Sequence, residues 1–186
     1  MTTVNKTLSS SDDSLPSILF VSAADWAFCT HRLSLAKWLI GQGFNVGVVC
    51  PTGEMVGEIK KAGLTVYPMR FSREKFSPIG LFKAILDVRN AALQMRAGVL
   101  HCVSLRCILL GWLATMFGLR SLRVVNHVIG MGSIFSEKPK TFRMRLQKSL
   151  VSFCLTRAFQ KSFAHTVFQN QDDYYDWIKL AGLSTK

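Results

Sequence analysis

The chain alternates short apolar runs with longer stretches in which apolar residues recur every three or four positions. Ser17-Ile18-Leu19-Phe20-Val21-Ser22 is the first run, with Pro16 before it. A short apolar run bounded by turn signals predicts a buried strand. Ala23 to Cys29 reads as an open loop of small and aromatic residues around Asp25. Thr30 is then expected to cap a helix, because its hydroxyl can accept from first-turn amides. Leu33, Ala36, Leu39 and Ile40 fall at helical spacing and give that helix a buried face. Gly41-Gln42-Gly43 stops it, since glycine tolerates the left-handed conformation at a helix end. Asn45 to Cys50, closed by Pro51, is the second strand. Strand, helix and strand in so few residues predict a right-handed βαβ unit.

The rhythm continues. Gly53 to Ala62 is a short helix with Met55, Val56 and Ile59 facing inward, and Leu64 to Tyr67 is the third strand. After a basic connection from Met69 to Ser77, Pro78 suits the first turn of a helix. That helix is expected to reach about Ala97, with Ile79, Phe82, Ile85, Leu86 and Leu93 on its inner face and Gly98 ending it. Val99 to Val103 is the fourth strand, Leu105 to Phe117 an almost wholly apolar helix ended by Gly118, and Leu122 to Val128 the fifth strand. Thr141 to about Phe163 is a long helix and His165 to Phe168 the sixth strand. Asn170 caps a last helix with Asp172 and Asp173 in its first turn, where the helix dipole favours acids. Strands alternating with helices predict a doubly wound, mostly parallel, Rossmann-like α/β sheet. Residues 17–183 read as one domain behind a flexible Ser/Thr-rich tail, residues 1–16. Ligands of such a sheet bind beyond the carboxyl ends of its strands.

Charge and cysteines narrow the function classes. The 186 residues carry a formal net charge of +12. A basic balance favours an anionic partner: nucleic acid, an acidic lipid surface or a phosphorylated substrate. Neither a zinc-finger spacing nor an aromatic RNP-type strand accompanies it, so nucleic acid is not expected. Cys29, Cys50, Cys102, Cys107 and Cys154 are scattered, odd in number and never paired as C-x-x-C, against both a disulfide framework and a structural zinc site. Reduced thiols in a cytoplasmic protein are the expectation. The longest uncharged apolar stretch, Cys107 to Leu119, falls short of the roughly 18–20 residues needed to cross a bilayer.

Four groups are candidate sites. In the first loop, Asp25 and Trp26 with His31 and Arg32 after them can meet a polar substrate near a helix N-terminus, or can be a space-filling aromatic with surface charges. Around the fifth strand end, Gly130 and Gly132 allow close backbone approach to a ligand. His127, just before them, can act as an acid–base group at the rim or be a satisfied structural histidine. These glycines are no dinucleotide fingerprint, which must follow the first strand. Ser104 and Arg106 after the fourth strand suit phosphate or sugar hydroxyls, or else form a helix cap and a surface base. Lys138, Lys140, Arg143, Arg145 and Lys148 surround an apolar stripe of Phe142, Leu146, Leu150 and Phe153, fit for an anionic membrane or for ordinary packing with a solvated basic side.

Taken in order, the motifs resemble family 4 glycosyltransferases of the GT-B fold. Thr30-His31-Arg32-Leu33-Ser34-Leu35-Ala36 is similar to the H-R-L-x-L-A run of the family's first helix. Gly41-Gln42-Gly43-Phe44-Asn45-Val46 is similar to its turn into strand two, and Gly130, Gly132 and Phe135 match a G-x-G-x-x-F loop. Leu100 to Arg106 continues the fit, and Phe168-Gln169-Asn170-Gln171-Asp172-Asp173 resembles the F-x-N-x-x-D close of the first domain. Ala23-Ala24-Asp25-Trp26 departs from the glycine-rich first loop of many relatives, which implies an acceptor contact particular to a subfamily.

The resemblance implies an acceptor-binding domain facing a donor-binding domain that these residues do not include. It implies a cleft lined by Asp25, Trp26, His31, Arg32, Ser104, Arg106, Gly130 and Gly132, with His127 as the catalytic candidate. It implies neither a cofactor nor a metal. The implied partners are a nucleotide-sugar donor, held by a missing domain or partner chain, a lipid-linked or glycan acceptor, and the anionic inner face of the membrane. The alternative is a non-catalytic membrane-surface or scaffold protein, or the remnant of a truncated gene.

Overall fold

The computed structural model describes residues 15–70, 77–119, 122–130 and 141–181, the side chains of 179–181 excepted. Six strands alternate with helices: β1 Ser17–Val21, β2 Val46–Cys50, β3 Thr65–Pro68, β4 Ala97–Val103, β5 Arg123–Val128 and β6 Ala164–Phe168. The helices are α1 Asp25–His31, α2 Leu33–Gly41, α3 Val56–Lys61, α4 Pro78–Gln94, α5 Leu105–Met116, α6 Phe142–Phe159 and α7 Gln171–Ala181. The strands form one sheet in the order β3-β2-β1-β4-β5-β6, and every pairing is parallel. The doubly wound α/β expectation therefore holds, with a wholly parallel sheet in place of a mostly parallel one.

Both faces of the sheet are covered, and β1 and β2 are accordingly apolar without alternation. On one face Phe20 and Val48 meet Phe28 of α1, Ala36 of α2 and Ile59 of α3. On the other, Leu19, Val21, Leu100 and Val124 meet α4, α5, α6 and α7 through Val88, Ile108, Leu155 and Trp177. Trp177 is fully buried and packs edge-on against Phe159 at 5.3 Å between ring centroids. Side chains cap three helices, and of these only Asn170 was expected from the sequence. Ser77 accepts from the Gly80 amide and Thr141 from the Met144 amide. Asn170 accepts from the Asp173 amide at 2.7 Å while donating to the Asp173 carboxylate at 2.8 Å, a reciprocal cap.

Four local expectations change. Ala23 to Cys29 is not an open loop, because α1 begins at Asp25 and a one-residue break at Arg32 separates it from α2. Thr30 caps nothing, since its hydroxyl donates back to the Trp26 carbonyl one turn earlier. Nor does Gly98 end the fourth helix; it lies within β4, and Arg96 makes the turn at φ +48°. The buried face of α4 is Ala84, Ile85, Val88, Ala91 and Ala92, whereas Ile79, Phe82 and Leu93 are exposed. Small side chains bring α4 close to α5 and the sheet, and the larger apolar residues point elsewhere. Among the described residues no helix is long and apolar enough to cross a membrane. The tail residues 1–14, Gly132, Phe135, Lys138, Lys140 and Gly182 lie outside the described residues.

Gly111 of α5 sits so close to β4 that a Cβ there would collide with Cys102 Sγ. Gly41, the last residue of α2, would place a Cβ in open space. Gly111→Ala is expected to destabilise by about 1–3 kcal/mol through overpacking. Gly41→Ala is expected to be neutral or to stabilise by up to ~1 kcal/mol through reduced chain entropy. Urea midpoints of the two variants check this contrast, and similar shifts for both would contradict the close approach.

Candidate functional site

In the order 3-2-1-4-5-6 the chain leaves β1 toward one side and β4 toward the other. The crevice between their carboxyl ends is where this topology leaves room for a ligand. The exits of β1, β4 and β5 build the rim here.

The β1 exit is held by Asp25. Its carboxylate is buried, accepting from the Trp26 amide at 2.8 Å and from the Met55 amide at 2.9 Å. A Cβ at Gly53 would lie 2.5 Å from Asp25 Oδ2, so a glycine there lets the β2–α3 turn close onto the carboxylate. Asp25 thus satisfies an orphan amide ahead of α3 and ties two strand exits together.

Arg32 fills the break between α1 and α2, and its side chain reaches toward β5. Its Nη2 lies 3.0 Å from His127 Nε2, and its Nη1 donates to the His31 carbonyl at 2.7 Å. A guanidinium can only donate, so His127 Nε2 must offer its lone pair and the ring must carry its proton on Nδ1. His127 is accordingly a neutral imidazole, its basicity lowered by burial and then by the Arg32 charge. Burial likewise lowers the pKa of Arg32, whose Nε is hidden and has no hydrogen-bond partner.

Behind His127 stands His101 of β4, which is not among the candidates the sequence offers. Phe20 and His101 are register partners on β1 and β4, and their rings stack at 4.7 Å. His101 and His127 stack at 5.7 Å. Burial, then His127 and Arg32, push the His101 pKa down to about 4, and its hidden Nε2 has no partner. The signal was present in the alternation: Phe20, His101 and His127 fall on the same face of adjacent parallel strands.

Ser104 joins β4 to α5 at φ +84° and ψ 155°, a backbone region that residues other than glycine rarely enter. Its amide donates to the His127 carbonyl at 2.9 Å, while its hydroxyl makes no helix-capping bond. Such a conformation costs on the order of 1–3 kcal/mol and persists only where the surroundings impose it.

The structure therefore brings Arg32, Ser104 and His127 together and adds His101. Asp25 turns instead toward the β2 exit. Trp26, His31 and Arg106 are exposed, and only the backbone carbonyl of His31 takes part in the Arg32 contact. Gly130 follows β5 at φ +139°, with open space where a Cβ would stand. Among the described residues no three His, Cys, Asp or Glu side chains are grouped to hold a metal ion. The rim offers a half-buried cation, a neutral imidazole whose lone pair that cation occupies, and a hydroxyl on a strained backbone.

A doubly wound parallel sheet with its polar groups at the β1/β4 switch point defines a Rossmann-like binding domain. Residues 17–164 match the model of the glycosyl transferase 4-like family, and the chain belongs to that family. No curated protein matches it in sequence. Among solved structures it is similar to a glycosyltransferase from Rickettsia africae ESF-5, with a TM-score of 0.62 at 14% identity, over 91% of this chain and 40% of that one. MurG of Acinetobacter baumannii gives a TM-score of 0.50 at 18% identity, over 74% and 39%. A sucrose-phosphate synthase from Thermosynechococcus elongatus gives 0.50 at 11%, over 83% and 47%. At these identities the likeness is one of fold, that of the GT-B enzymes. The chain spans less than half the length of each of these structures.

The ring stack makes stability depend on pH in a defined direction. His101 is held neutral in the fold, with a pKa of about 4 against an ordinary 6.5. The unfolded chain therefore binds the proton first as pH falls. Its contribution is complete above about pH 6.5 and is lost between there and pH 4, amounting to about 3 kcal/mol. His101→Phe, which extends the Phe20 stack, should flatten this part of the profile. Urea unfolding between pH 7.5 and 4.5 tests it; equal slopes for the two proteins would contradict a neutral, buried His101.

Proposed function

We propose that this chain is the acceptor-side domain of a glycosyltransferase that moves a sugar from a nucleotide-sugar donor to a lipid-linked glycan acceptor. The observation that carries the reading is the Arg32–His127 pair at the switch-point rim of a family 4-like fold. The donor is held by a second domain or a partner chain facing this rim. His127 is the base. Once Arg32 withdraws, Nε2 takes the proton of the acceptor hydroxyl as the acceptor oxygen bonds to the anomeric carbon. The bond from that carbon to the donor phosphate breaks, and the nucleoside diphosphate leaves with the electron pair. Ser104, Arg106, Trp26, His31 and Gly130 border the acceptor, while Asp25 fixes the start of α1, the helix that carries Trp26. The transfer is of a hexosyl group in polysaccharide assembly.

The test is a chain completed by a family 4 donor-binding domain and supplied with nucleotide sugars and a polyprenyl-linked acceptor. Transfer should occur, and His127→Ala should lower kcat by about 100-fold or more, the usual range for a lost general base. Absence of transfer with every donor, or an unaffected kcat, would contradict the reading.

The membrane placement is supported by α6. Phe142, Leu146, Leu150 and Phe153 recur along the helix at 80%, 61%, 61% and 55% exposure. Arg143, Arg145, Lys148 and Arg157 lie on the same helix, and no acid occurs from Lys138 to Gln171. Exposed apolar residues among bases, without acids, fit the anionic inner leaflet of the cytoplasmic membrane, where each base near the surface contributes about 1 kcal/mol. The same helix would serve the alternative, a non-catalytic membrane-surface protein, and the transfer assay separates the two. Leu146→Asp with Phe153→Asp is expected to weaken binding to phosphatidylglycerol vesicles at least tenfold, since two side chains no longer enter the bilayer boundary. Binding should also fall as salt rises. Unchanged sedimentation of the double variant would contradict docking through α6.

A further inference from the structure

We infer that Arg32 is the receptor for a phosphate oxyanion at the β1/β4 crevice, and that its occupation frees His127 Nε2. The inference rests on the transferase reading for its place in a reaction but not for its chemistry. Arg32 is a half-buried cation whose hydrogen-bond partners are both neutral: an imidazole nitrogen and the carbonyl of the preceding residue. The ion pairs among the described residues are Lys61 with Glu58 and Arg70 with Asp87. Arg32 belongs to neither. Asp25, the acid on the neighbouring helix, has its oxygens engaged by two amides. Burial alone shifts Arg32, with no contribution from an acid.

A partly desolvated charge without a counter-ion is costly unless something of opposite charge arrives. A guanidinium matches a phosphate through two parallel N–H donors, and it presently spends that fork on weaker acceptors. The surroundings favour the same class of ligand. Arg32 stands at the start of α2, where a helix favours negative charge, and beside the exit of β4, where Ser104 keeps a hydroxyl free of capping.

The contact with His127 couples binding to chemistry. While Arg32 donates to Nε2, that lone pair cannot take a substrate proton. A phosphate that draws the guanidinium away releases the lone pair and also cancels the positive charge that suppresses protonation of His127. The titratable groups that face His127 are Arg32, from the α1/α2 junction, at 3.0 Å, and the neutral His101 of β4, stacked on it at 5.7 Å. A phosphorylated substrate thus switches on the imidazole only when bound.

Calorimetry with inorganic pyrophosphate, and the His127 pKa followed by NMR with and without it, test the inference on the 186-residue chain. Saturable binding and a rise in the His127 pKa are expected. Arg32→Gln should weaken binding roughly tenfold or more, raise the His127 pKa without ligand and abolish its response. Arg32→Lys should retain part of the affinity, and Lys61→Gln, an exposed base elsewhere, should change neither readout. Parallel titrations with UDP and with geranyl pyrophosphate identify the source: stronger binding of the first assigns the donor's diphosphate, of the second a lipid-linked acceptor, and both support the receptor. An unmoved His127 pKa at saturating pyrophosphate would overturn the inference, and this readout on the unaltered protein needs no variant to fold. Normal transfer by the completed enzyme with no pyrophosphate response would refute the receptor and leave the transferase standing. A pyrophosphate response without transfer would do the reverse.

Discussion

A buried or half-buried arginine normally faces a carboxylate; here Arg32 faces a neutral imidazole. That one contact constrains much of the rim. Arg32 makes it from the one-residue break between α1 and α2. His127 has to sit on the α1 side of β5 with its proton on Nδ1. The ring stack from Phe20 through His101 to His127 then has to stay uncharged, since a second positive charge beside Arg32 would be repelled in a low-dielectric setting.

The neighbouring features hold that arrangement in place. Asp25 fastens the β1 exit to the β2 exit by accepting from the Met55 amide, and its hydrogen bond from the Trp26 amide holds the carboxylate at the start of α1. Ser104 accepts an unfavourable backbone conformation while its amide bonds the His127 carbonyl, which fixes the β4 exit to the β5 strand. Beneath the rim, Gly111 permits α5 to lie against Cys102, and the fully buried strands leave little freedom for the sheet to adjust. Strain at Ser104 and an uncompensated charge at Arg32 both lower stability, and the tightly packed sheet below tolerates them. Features of this kind concentrate where a protein binds or reacts.

The sheet was legible in the sequence because β1 to β4 are short, largely apolar runs closed by proline or serine, and the order of the motifs matched a known family. Helix starts were legible at Asn170, which caps as expected, and at Pro78 in a first turn, whereas Thr30, the other cap expected, bonds back to Trp26. The α1/α2 break was not legible, because nothing in Asp25 to Arg32 resembles a helix stop. Before the break Phe28 packs on Phe20 of β1, and at it Arg32 contacts His127 of β5, contacts that no local pattern encodes. The inner face of α4 was misassigned because alanines carry it, and alanine gives little hydrophobic contrast. Arg32 and His127 were each visible as candidates, yet 95 residues separate them and only the strand order 1-4-5 makes them neighbours. His101 went unselected because an imidazole inside a strand reads as filler until its register partners are known.

Placement of a neutral His127 as acceptor to Arg32 is the central claim, and nitrogen-15 NMR of the imidazole measures it most directly. At neutral pH the account predicts the Nδ1–H tautomer, with an unprotonated Nε2 whose resonance moves when Arg32 is replaced by glutamine. A ring protonated on Nε2, or on both nitrogens, would contradict it.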